Sequence, residues 1–384
     1  MIKFIVRRVV RGLVALLLFQ SLLFALIHSL PYDFSAYVLT SPAMRALIRQ
    51  QFGLDRPLWE QYFNWLEGFV RLDLGVSFRY WPTPVLDILL GNISRTLLLF
   101  LSAAVLAYLL GIWLGKMIAW RRGSLFELGA TLGGVAAYTA FAPWLGFVMI
   151  NVFGWYLHLL PYQRLVEPVV WYNAPLTVDA LLARMVGTVL AALLVLALVW
   201  YATRRVRAAG WRWAAQGATL LLCIGVAWAV WARSGLGYLA LDILAHMALP
   251  LGTVVLLSFG ETMMTMRASM LETVREDYVL MARAKGLPDW VIRDRHVARN
   301  AILPVLTRLA LNLPFVLIGS LIVERVFAWQ AMGQVIFNAI EWQDIPVLMG
   351  VLSIVGILAL VAHVVLDVLY MVLDPRIRHA AEKS

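Results

Sequence analysis

The sequence predicts an all-α membrane protein, and three observations support that fold class. The chain of 384 residues is 62% hydrophobic and 14% charged, with a mean hydropathy of +0.82. A soluble core of this size cannot bury so much apolar surface. Several apolar stretches reach the roughly 20 residues that a helix needs to cross a bilayer. Basic residues recur in alternate loops between those stretches, as the positive-inside rule describes for multi-pass proteins.

Charge and cysteine content exclude several classes of function. The net charge is +10, but the basic residues are scattered among apolar runs and form no patch with interleaved aromatics, so nucleic acid is not an expected partner. The only cysteine, Cys223, lies inside an apolar run. We therefore expect neither a disulfide framework nor a Cys/His metal site.

We predict eight spans from the apolar stretches. Pro143 and Pro250 interrupt the third and the sixth, which membrane helices tolerate when neighbours satisfy the freed carbonyl group. The first span follows basic residues and resembles a secretory signal, but its apolar run is long and has no small-residue exit site, so we interpret it as uncleaved. The predicted spans are near 9–29, 95–118, 129–153, 178–202, 213–232, 246–266, 306–326 and 347–372.

The loop charges predict that both termini lie in the cytoplasm. With the N-terminus inside, the inner segments hold the arginine clusters of the chain and all four lysines. These residues are Lys3, Lys116, Arg121, Arg122, Arg204, Arg205, Arg207, Arg212, the stretch 267–299 with Lys285, Arg376, Arg378 and Lys383.

The first outer segment, about 31–93, is long enough for structure of its own. Ser41 is placed to cap a helix that begins at Pro42 and ends at Gly53, with apolar residues on one face. The aromatic residues that follow suit the membrane interface as anchors, and a direct substrate contact is the alternative. They are Trp59, Tyr62, Phe63 and Trp65.

The chain has no recognisable phosphate-binding loop. Gly111, Gly115 and Lys116 come nearest, but three residues separate the glycines and Met117 follows the lysine, whereas a P-loop has four residues and then Ser or Thr. We expect the two glycines to permit close helix packing instead.

The loop between the sixth and seventh spans is mixed in charge, and it predicts a helix, a turn and a second helix. Gly286 is suited to end the first helix in a left-handed conformation, Pro288 stops its continuation, and Asp289 is placed to cap the second. Small residues at 282 and 284 would let another protein approach closely, and Arg283 and Lys285 add charge. A solvated loop that only satisfies the positive-inside rule is the alternative.

Residues in this loop resemble a known family. The runs Arg267-Ala268-Ser269-Met270-Leu271-Glu272, Asp277-Tyr278-Val279 and Ala282-Arg283-Ala284-Lys285-Gly286-Leu287 are similar to the Glu-Ala-Ala loop of permease subunits in binding-protein-dependent ABC importers of the dipeptide, oligopeptide and nickel branch. Leu280, Met281 and His296 depart from the generic loop in the way usual for the peptide branch.

Other segments in the same order strengthen the resemblance. They are Gly53-Leu54-Asp55-Arg56-Pro57-Leu58, Asp73-Leu74-Gly75, Ser77-Phe78, the last outer loop with Glu324, Val326, Phe327, Gly333, Asp344 and Pro346, and Asp374-Pro375-Arg376-Ile377-Arg378. Where the family usually has Pro-Gly, this chain has Gln330 and Ala331.

The resemblance implies a type I ABC importer transmembrane domain, with a six-span core and a two-span insert, in a bacterial or archaeal cytoplasmic membrane. It implies a second, different permease chain, two ATPase subunits that bind ATP and Mg²⁺, an extracytoplasmic substrate-binding protein and membrane lipid as partners. No catalytic residue, metal or cofactor is expected on this chain. The residues implied to contact the ATPase are Tyr278, Ala282, Arg283, Ala284, Lys285, Gly286 and Leu287.

The same resemblance divides the chain into a first span at 1–30, an outer segment at 31–93, core spans two and three at 94–162, the insert at 163–241, and core spans four to six at 242–384, which include the coupling loop 267–305. The insert could face lipid, bind an accessory subunit or widen the dimer. Peptides, nickel complexes and oligosaccharides are all carried within the family, so the substrate stays open.

Two rival functions remain at this point. Glu261, His363 and Asp367 lie within or near spans, where ionisable groups are costly and often functional. They could form a proton relay in an ion-coupled secondary transporter, although no inverted repeat of broken helices is visible. A membrane scaffold without transport activity is the third possibility.

Overall fold

The structure, a computed structural model, is built from helices. It describes residues 2–29, 53, 55–203, 209–316 and 318–373, and side chains over the same ranges except at 2–6, 209, 212, 213, 313 and 365–373. We number the helices α1 Ile2–Ser29, α2 Leu58–Arg71, α3 Val85–Trp120, α4 Leu125–Thr139, α5 Ala142–Tyr156, α6 Pro168–Trp171, α7 Val178–Thr203, α8 Ala209–Arg233, α9 Gly237–Thr273, α10 Asp277–Ala284, α11 289–301, α12 Leu303–Val316, α13 Leu321–Val326, α14 Met332–Glu341 and α15 Ile345–Leu373.

Six helices of the described chain are long and apolar enough to cross a membrane, and the number rises to eight if each of two bent pairs counts as one span. That upper number agrees with the eight predicted spans. The third predicted span is bent, because α4 and α5 meet at 106°. Ala140 is extended between them, and Pro143 lies in the first turn of α5, where a proline ring is tolerated but cannot continue a preceding helix. The predicted helix from Pro42 to Gly53 and its Ser41 cap lie outside the described residues.

Helices α3 and α9 form the central pair of the bundle. A Cβ atom on Gly111 would stand 2.8 Å from the carbonyl oxygen of Phe259, and one on Gly115 would stand 2.7 Å from that of Met263. Such distances leave room for hydrogen only, so the two glycines let the helix backbones touch. The predicted role of Gly111 and Gly115 in close helix packing is confirmed.

Helix α4 joins this pair through a second glycine contact. Gly260 of α9 faces Gly134 of α4 so closely that a Cβ on Gly260 would collide with the carbonyl oxygen of Gly134. At the start of α4, Ser124 accepts the Glu127 N–H, and the Glu127 carboxylate accepts the Gly123 N–H and binds Arg267 of α9. The cap that begins α4 thus also fixes its position along α9.

A buried carboxylate ties the first outer segment to the last outer loop. Asp344 is buried and accepts the hydroxyl of Ser77 and the N–H groups of Phe78 and Arg79, the latter two at 3.1 Å. Hydrogen bonds to a charged acceptor are among the stronger ones in proteins. Two motifs that are 267 residues apart in the sequence therefore form one unit.

A second buried carboxylate shapes the turn before α14. Glu324 accepts the N–H groups of Ala331, Gly333 and Gln334 at 3.3, 3.0 and 2.8 Å. Ala331 has a φ of −146°, which any residue can adopt. The turn with Gln330 and Ala331 therefore forms without the Pro-Gly of the related sequences.

The outer aromatic residues divide into two groups. Tyr62 and Trp65 of α2 pack against Phe24 of α1, and the Tyr62 hydroxyl lies 2.7 Å from the hydroxyl oxygen of Ser21. Trp59 and Phe63 are exposed on the other side of α2. Only the exposed pair fits the predicted membrane anchor, whereas the inner pair attaches α2 to α1.

The two helices of the predicted insert differ in their surroundings. Leu181, Leu182 and Met185 of α7 are buried in one cluster with residues of α3 and α9, and Asp179 forms a 2.7 Å ion pair with Arg95. In contrast, the apolar window of α8 has no buried residue. Helix α8 packs on the distal part of α7, where Gln216 donates a 3.3 Å hydrogen bond to the Thr203 hydroxyl, and the other faces of both are exposed and apolar. The proximal end of α7 belongs to the core.

The glycine contact predicts a difference between two alanine substitutions. Gly115→Ala should lower the free energy of unfolding by about 1–3 kcal/mol, because the added methyl group overpacks the α3–α9 contact. Gly129→Ala on α4, where a Cβ would meet nothing, should be neutral or slightly stabilising. Thermal unfolding of the purified variants in detergent measures both, and equal melting temperatures would refute the close contact.

A second pair tests the role of α7. Leu182→Ala should cost about 2–5 kcal/mol, because Leu182 is fully buried and its truncation leaves a cavity. Leu222→Ala on α8 should change stability little, since Leu222 is 65% exposed and lipid or detergent replaces the lost contacts. The same unfolding measurement applies, and an unaffected Leu182→Ala variant would place α7 outside the core.

Candidate functional site

The loop between α9 and α12 forms a compact protrusion of α10 and α11. Helix α10 follows α9 after three residues, and its C-terminal turn ends at Gly286, which has a φ of +70°. This left-handed conformation is the one predicted, and it costs glycine little. Pro288 stands at the N-cap of α11 and no side chain caps the helix. The predicted cap by Asp289 is therefore wrong, because Asp289 is the first helical residue and its side chain is already beyond the cap position.

An apolar base attaches the protrusion to the ends of α3 and α9. Val279 and Ala282 of α10 are buried, and Ala282 is only 4% exposed. They share a cluster with residues of α3, α9, α11 and α12, namely Ala119, Met266, Met270, Ile292, Val297, Ala298, Ala301 and Val305. Such packing leaves the protrusion little freedom to move independently of the two long helices.

Polar contacts reinforce the base. Lys116 of α3 lies 3.2 Å from Asp294 of α11, which also binds Arg293 at 2.6 Å. The hydrogen bond from Arg293, with help from Lys116, lowers the pKa of Asp294 below its ordinary value. Tyr278 of α10 accepts a 2.8 Å hydrogen bond from Asn300 of α11, so a side-chain hydrogen bond also joins the two helices of the protrusion.

The outer surface of the protrusion combines apolar and basic groups. Leu280, Met281 and Trp290 are 56%, 62% and 57% exposed, and Leu287 lies at the rim. Arg283, Ala284 and Lys285 are exposed beside them. We call these seven residues the exposed face of the protrusion. Exposed apolar groups of this size in a polar loop mark a contact surface.

The structure separates the seven sequence-predicted residues into two groups. Arg283, Ala284, Lys285, Gly286 and Leu287 lie on the surface of the protrusion. Tyr278 is half-buried and Ala282 is buried against its own chain, so the small side chain of Ala282 permits close packing of α10 into the apolar base and not the approach of another protein.

Leu280, Met281 and Trp290 belong to the exposed face but were not predicted as site residues. The sequence does contain a signal for them. Val279 and Ala282 are three residues apart and define the buried side of α10, which leaves Leu280 and Met281 on the opposite side. Large apolar residues on the outer side of a charged loop are unexplained by solvation alone.

A second polar region lies at the opposite end of the bundle. A cavity of about 450 Å³ is bordered by α3, α7, α14 and the last outer loop. The Arg95–Asp179 ion pair lies in its wall, and Arg95 also donates to the carbonyl oxygen of Gln330 at 3.2 Å. Asp87, Asn92, Gln334 and Asn338 add polar groups to the lining.

The two residues of the possible proton relay whose side chains the structure describes, Glu261 and His363, contact other groups. Glu261 is paired with Arg308 of α12 at 2.8 Å, and His363 of α15 is 2.7 Å from the carbonyl oxygen of Ala359 in its own helix. The side chain of Asp367 lies outside the described residues. Among the described residues no group of three His, Cys, Asp or Glu side chains could hold a metal ion.

Two family models match almost the entire chain. Residues 107–379 match the binding-protein-dependent transport system inner membrane component, and residues 1–97 match the N-terminal region of the membrane component of such systems. These ranges include the protrusion, the central pair α3 and α9, and both buried carboxylates.

Curated relatives agree over their full length. The chain is 28% identical over 389 residues to the dipeptide transport system permease protein DppB of Escherichia coli K12, with 99% of each chain covered. It is 30% identical over 394 residues to the di/tripeptide transport system permease protein DppB of Pseudomonas aeruginosa UCBPP-PA14, with 99% of each covered. The oligopeptide transport system permease protein AppB of Bacillus subtilis 168 is 26% identical over 383 residues, which cover 99% of this chain and all of that protein.

These matches support a permease and not an ion-coupled secondary transporter or a passive scaffold. They extend over every helix that could span a membrane and agree with the motif order noted in the sequence. The chain belongs to the family of inner-membrane components of binding-protein-dependent transport systems, and it is the multi-pass permease subunit of an ABC importer.

Proposed function

We propose that this permease receives the energy of ATP hydrolysis through the exposed face of the protrusion formed by α10 and α11. In this arrangement both termini and the protrusion lie in the cytoplasm, and two ATPase subunits that bind ATP and Mg²⁺ dock there. The observation that carries the proposal is the contrast within one short loop, whose inner side is fixed to α3 and α9 while its outer side presents Leu280, Met281 and Trp290.

The geometry of the protrusion suits it to transmit a movement of a docked partner to α3 and α9. A docking partner that contacts Trp290 and Leu280 pushes on helices whose base is packed against Met266 and Met270 of α9. Because protein interiors are close-packed, the protrusion and the ends of α3 and α9 then move together. Closure of the ATPase pair thus shifts the equilibrium of the permease between two arrangements of its membrane spans.

Charge contributes to the choice of partner. Arg283 and Lys285 lie next to the exposed apolar groups, and an acidic rim on the ATPase subunit would match them. Rim charges of this kind mainly affect the rate and specificity of association, whereas buried aromatic anchors supply most of the affinity. Trp290 is the aromatic residue of the exposed face.

ATP binding and hydrolysis belong to the partner subunits in this proposal, and this chain contributes no catalytic group, metal or cofactor. The sequence nearest to a phosphate-binding loop supports this division. Gly111 and Gly115 are in contact with α9, and Lys116 is paired with Asp294, so these residues serve helix packing and the base of the protrusion.

The substrate class we propose is the short peptide. The names of the three relatives specify dipeptides, di- and tripeptides, and oligopeptides. An extracytoplasmic binding protein delivers the peptide to the end of the bundle that carries the cavity near Arg95, and a second, different permease chain completes the path.

The first prediction from the proposed docking concerns the aromatic residue of the exposed face. Trp290→Ala should weaken docking by at least about 2 kcal/mol, which is roughly a 30-fold loss of affinity, because it removes the expected anchor. The measurement is ATPase activity of the reconstituted complex with and without loaded binding protein. Trp211→Ala is the control, since Trp211 is an exposed tryptophan as well, at 77% against 57% for Trp290, but lies on α8.

If Trp290→Ala kept full stimulation of ATPase activity while Trp211→Ala lost it, the docking face would lie elsewhere. Thermal unfolding of the isolated permease should not differ between these two variants, because neither tryptophan is buried within the chain.

The second prediction uses the two alanines of α10. Ala282→Leu should destabilise the protrusion by about 1–3 kcal/mol, because the larger side chain overfills a buried position. Ala284→Trp should leave the stability of the isolated chain within about 0.5 kcal/mol and should reduce copurification of the ATPase subunits by occupying the contact surface. Hydrogen exchange of residues 277–301 measures the first effect, and the reverse assignment of the two effects would refute the proposed face.

A further inference from the structure

A stripe of polar residues runs along one face of α9, on the side that faces away from α3. Glu261, Thr265, Ser269 and Glu272 follow each other at intervals of four, four and three residues, the spacing that aligns side chains on one face of a helix. The buried side of this part of α9 presents large apolar residues, namely Phe259, Met263, Met266 and Met270.

The stripe forms a wall of a groove between α4, α9 and α12. The groove has a volume of about 590 Å³ and is also bordered by Tyr138, Thr139, Pro304 and Arg308. An ion pair crosses it, because Arg308 of α12 donates to Glu261 at 2.8 Å and to the Thr265 hydroxyl at 3.1 Å. The groove is therefore lined by both charges and by hydroxyl groups.

The exposure of the ion pair indicates what the groove faces. The side chains of Glu261 and Arg308 are 48% and 53% exposed in the single chain, although both belong to helices of the membrane-spanning part. A charged pair turned toward acyl chains is costly, so such residues face protein or water. The exposed faces of α7 and α8 show the contrast, since they consist of residues such as Leu193, Leu194, Leu221 and Leu222.

The position of the groove connects it with the protrusion. Its elements α9 and α12 are the helices that immediately precede and follow α10 and α11. A shift of the protrusion therefore changes the separation of the two helices that hold the Glu261–Arg308 pair. The two walls of the groove can move apart only if this pair lengthens or breaks.

We propose that this groove lines the inner part of the translocation path, and that Glu261 and Arg308 contact the charged ends of a short peptide as it passes. The inference rests on the proposed function. A peptide carries an ammonium group and a carboxylate, which are the partners that a carboxylate and a guanidinium bind most strongly. In the absence of peptide the two side chains bind each other, and the pair bridges α9 and α12 across the groove.

The experiment measures access to the groove in the assembled complex. In a Cys223→Ser background, Thr265→Cys and Ser269→Cys are introduced separately, with Leu222→Cys on α8 as the lipid-facing control. Inside-out vesicles that contain the complex are treated with a charged, membrane-impermeant thiosulfonate reagent, and the rate of modification is measured in the resting state and during turnover with ATP, binding protein and a dipeptide. Dipeptide transport is measured in vesicles from the same preparation.

We expect both groove cysteines to react and Leu222→Cys to remain unmodified, and we expect turnover with dipeptide to change the rate at Thr265→Cys several-fold relative to ATP alone. A groove that reacts equally in all conditions is a static recess, and a groove that does not react is covered by lipid or protein. Either result overturns this inference. If the same vesicles transport the dipeptide, the proposed function still stands. If the complex instead reacts at the groove but transports no peptide, the proposed substrate is wrong.

Discussion

The glycine-mediated contact between α3 and α9 is the constraint on which the rest of the molecule depends. It brings two of the longest helices to backbone distance at Gly111 and Gly115, and α4 joins them through Gly134 and Gly260. Apolar burial gives little net stabilisation inside a lipid bilayer, because the acyl chains are as apolar as the side chains. Close backbone packing and a few polar pairs, such as Glu127 with Arg267, therefore determine where each helix lies.

Buried carboxylates fix the positions of the segments at the end of the bundle opposite the protrusion. Asp344 and Glu324 each receive several hydrogen bonds from backbone N–H groups of irregular segments. A carboxylate that is buried in this way holds its donors in a fixed geometry, since any donor that left would leave a costly unpaired group. The described part of the first outer segment, the last outer loop and the cavity near Arg95 are thus held in a defined arrangement.

Much of the fold could be predicted from the sequence, because its signals are local. The span positions follow from runs of apolar residues, Gly286 from the turn chemistry at the end of α10, and the packing of Gly111 and Gly115 from their spacing. The 106° bend between α4 and α5 and the burial of Leu181 and Leu182 could not. In a membrane protein, residues that face lipid and residues that face the core are equally apolar, so composition does not say which side of a helix is inside. The Arg95–Asp179 pair and the Ser77–Asp344 contact join distant parts of the chain and leave no local pattern.

The length of the two central helices has a mechanical consequence. Helix α9 has 37 residues and extends roughly 55 Å at 1.5 Å per residue, so that a rigid tilt of about 5° moves its two ends by nearly 5 Å relative to each other. In the proposed coupling, the glycine contact is a fulcrum part of the way along α3 and α9, and the shorter arms of both helices end at the base of α10 and α11. A small stroke applied there is magnified at the opposite rim, near Arg95. An amplifier of this kind lets a modest change in a neighbouring subunit alter the aperture on the other side of the membrane.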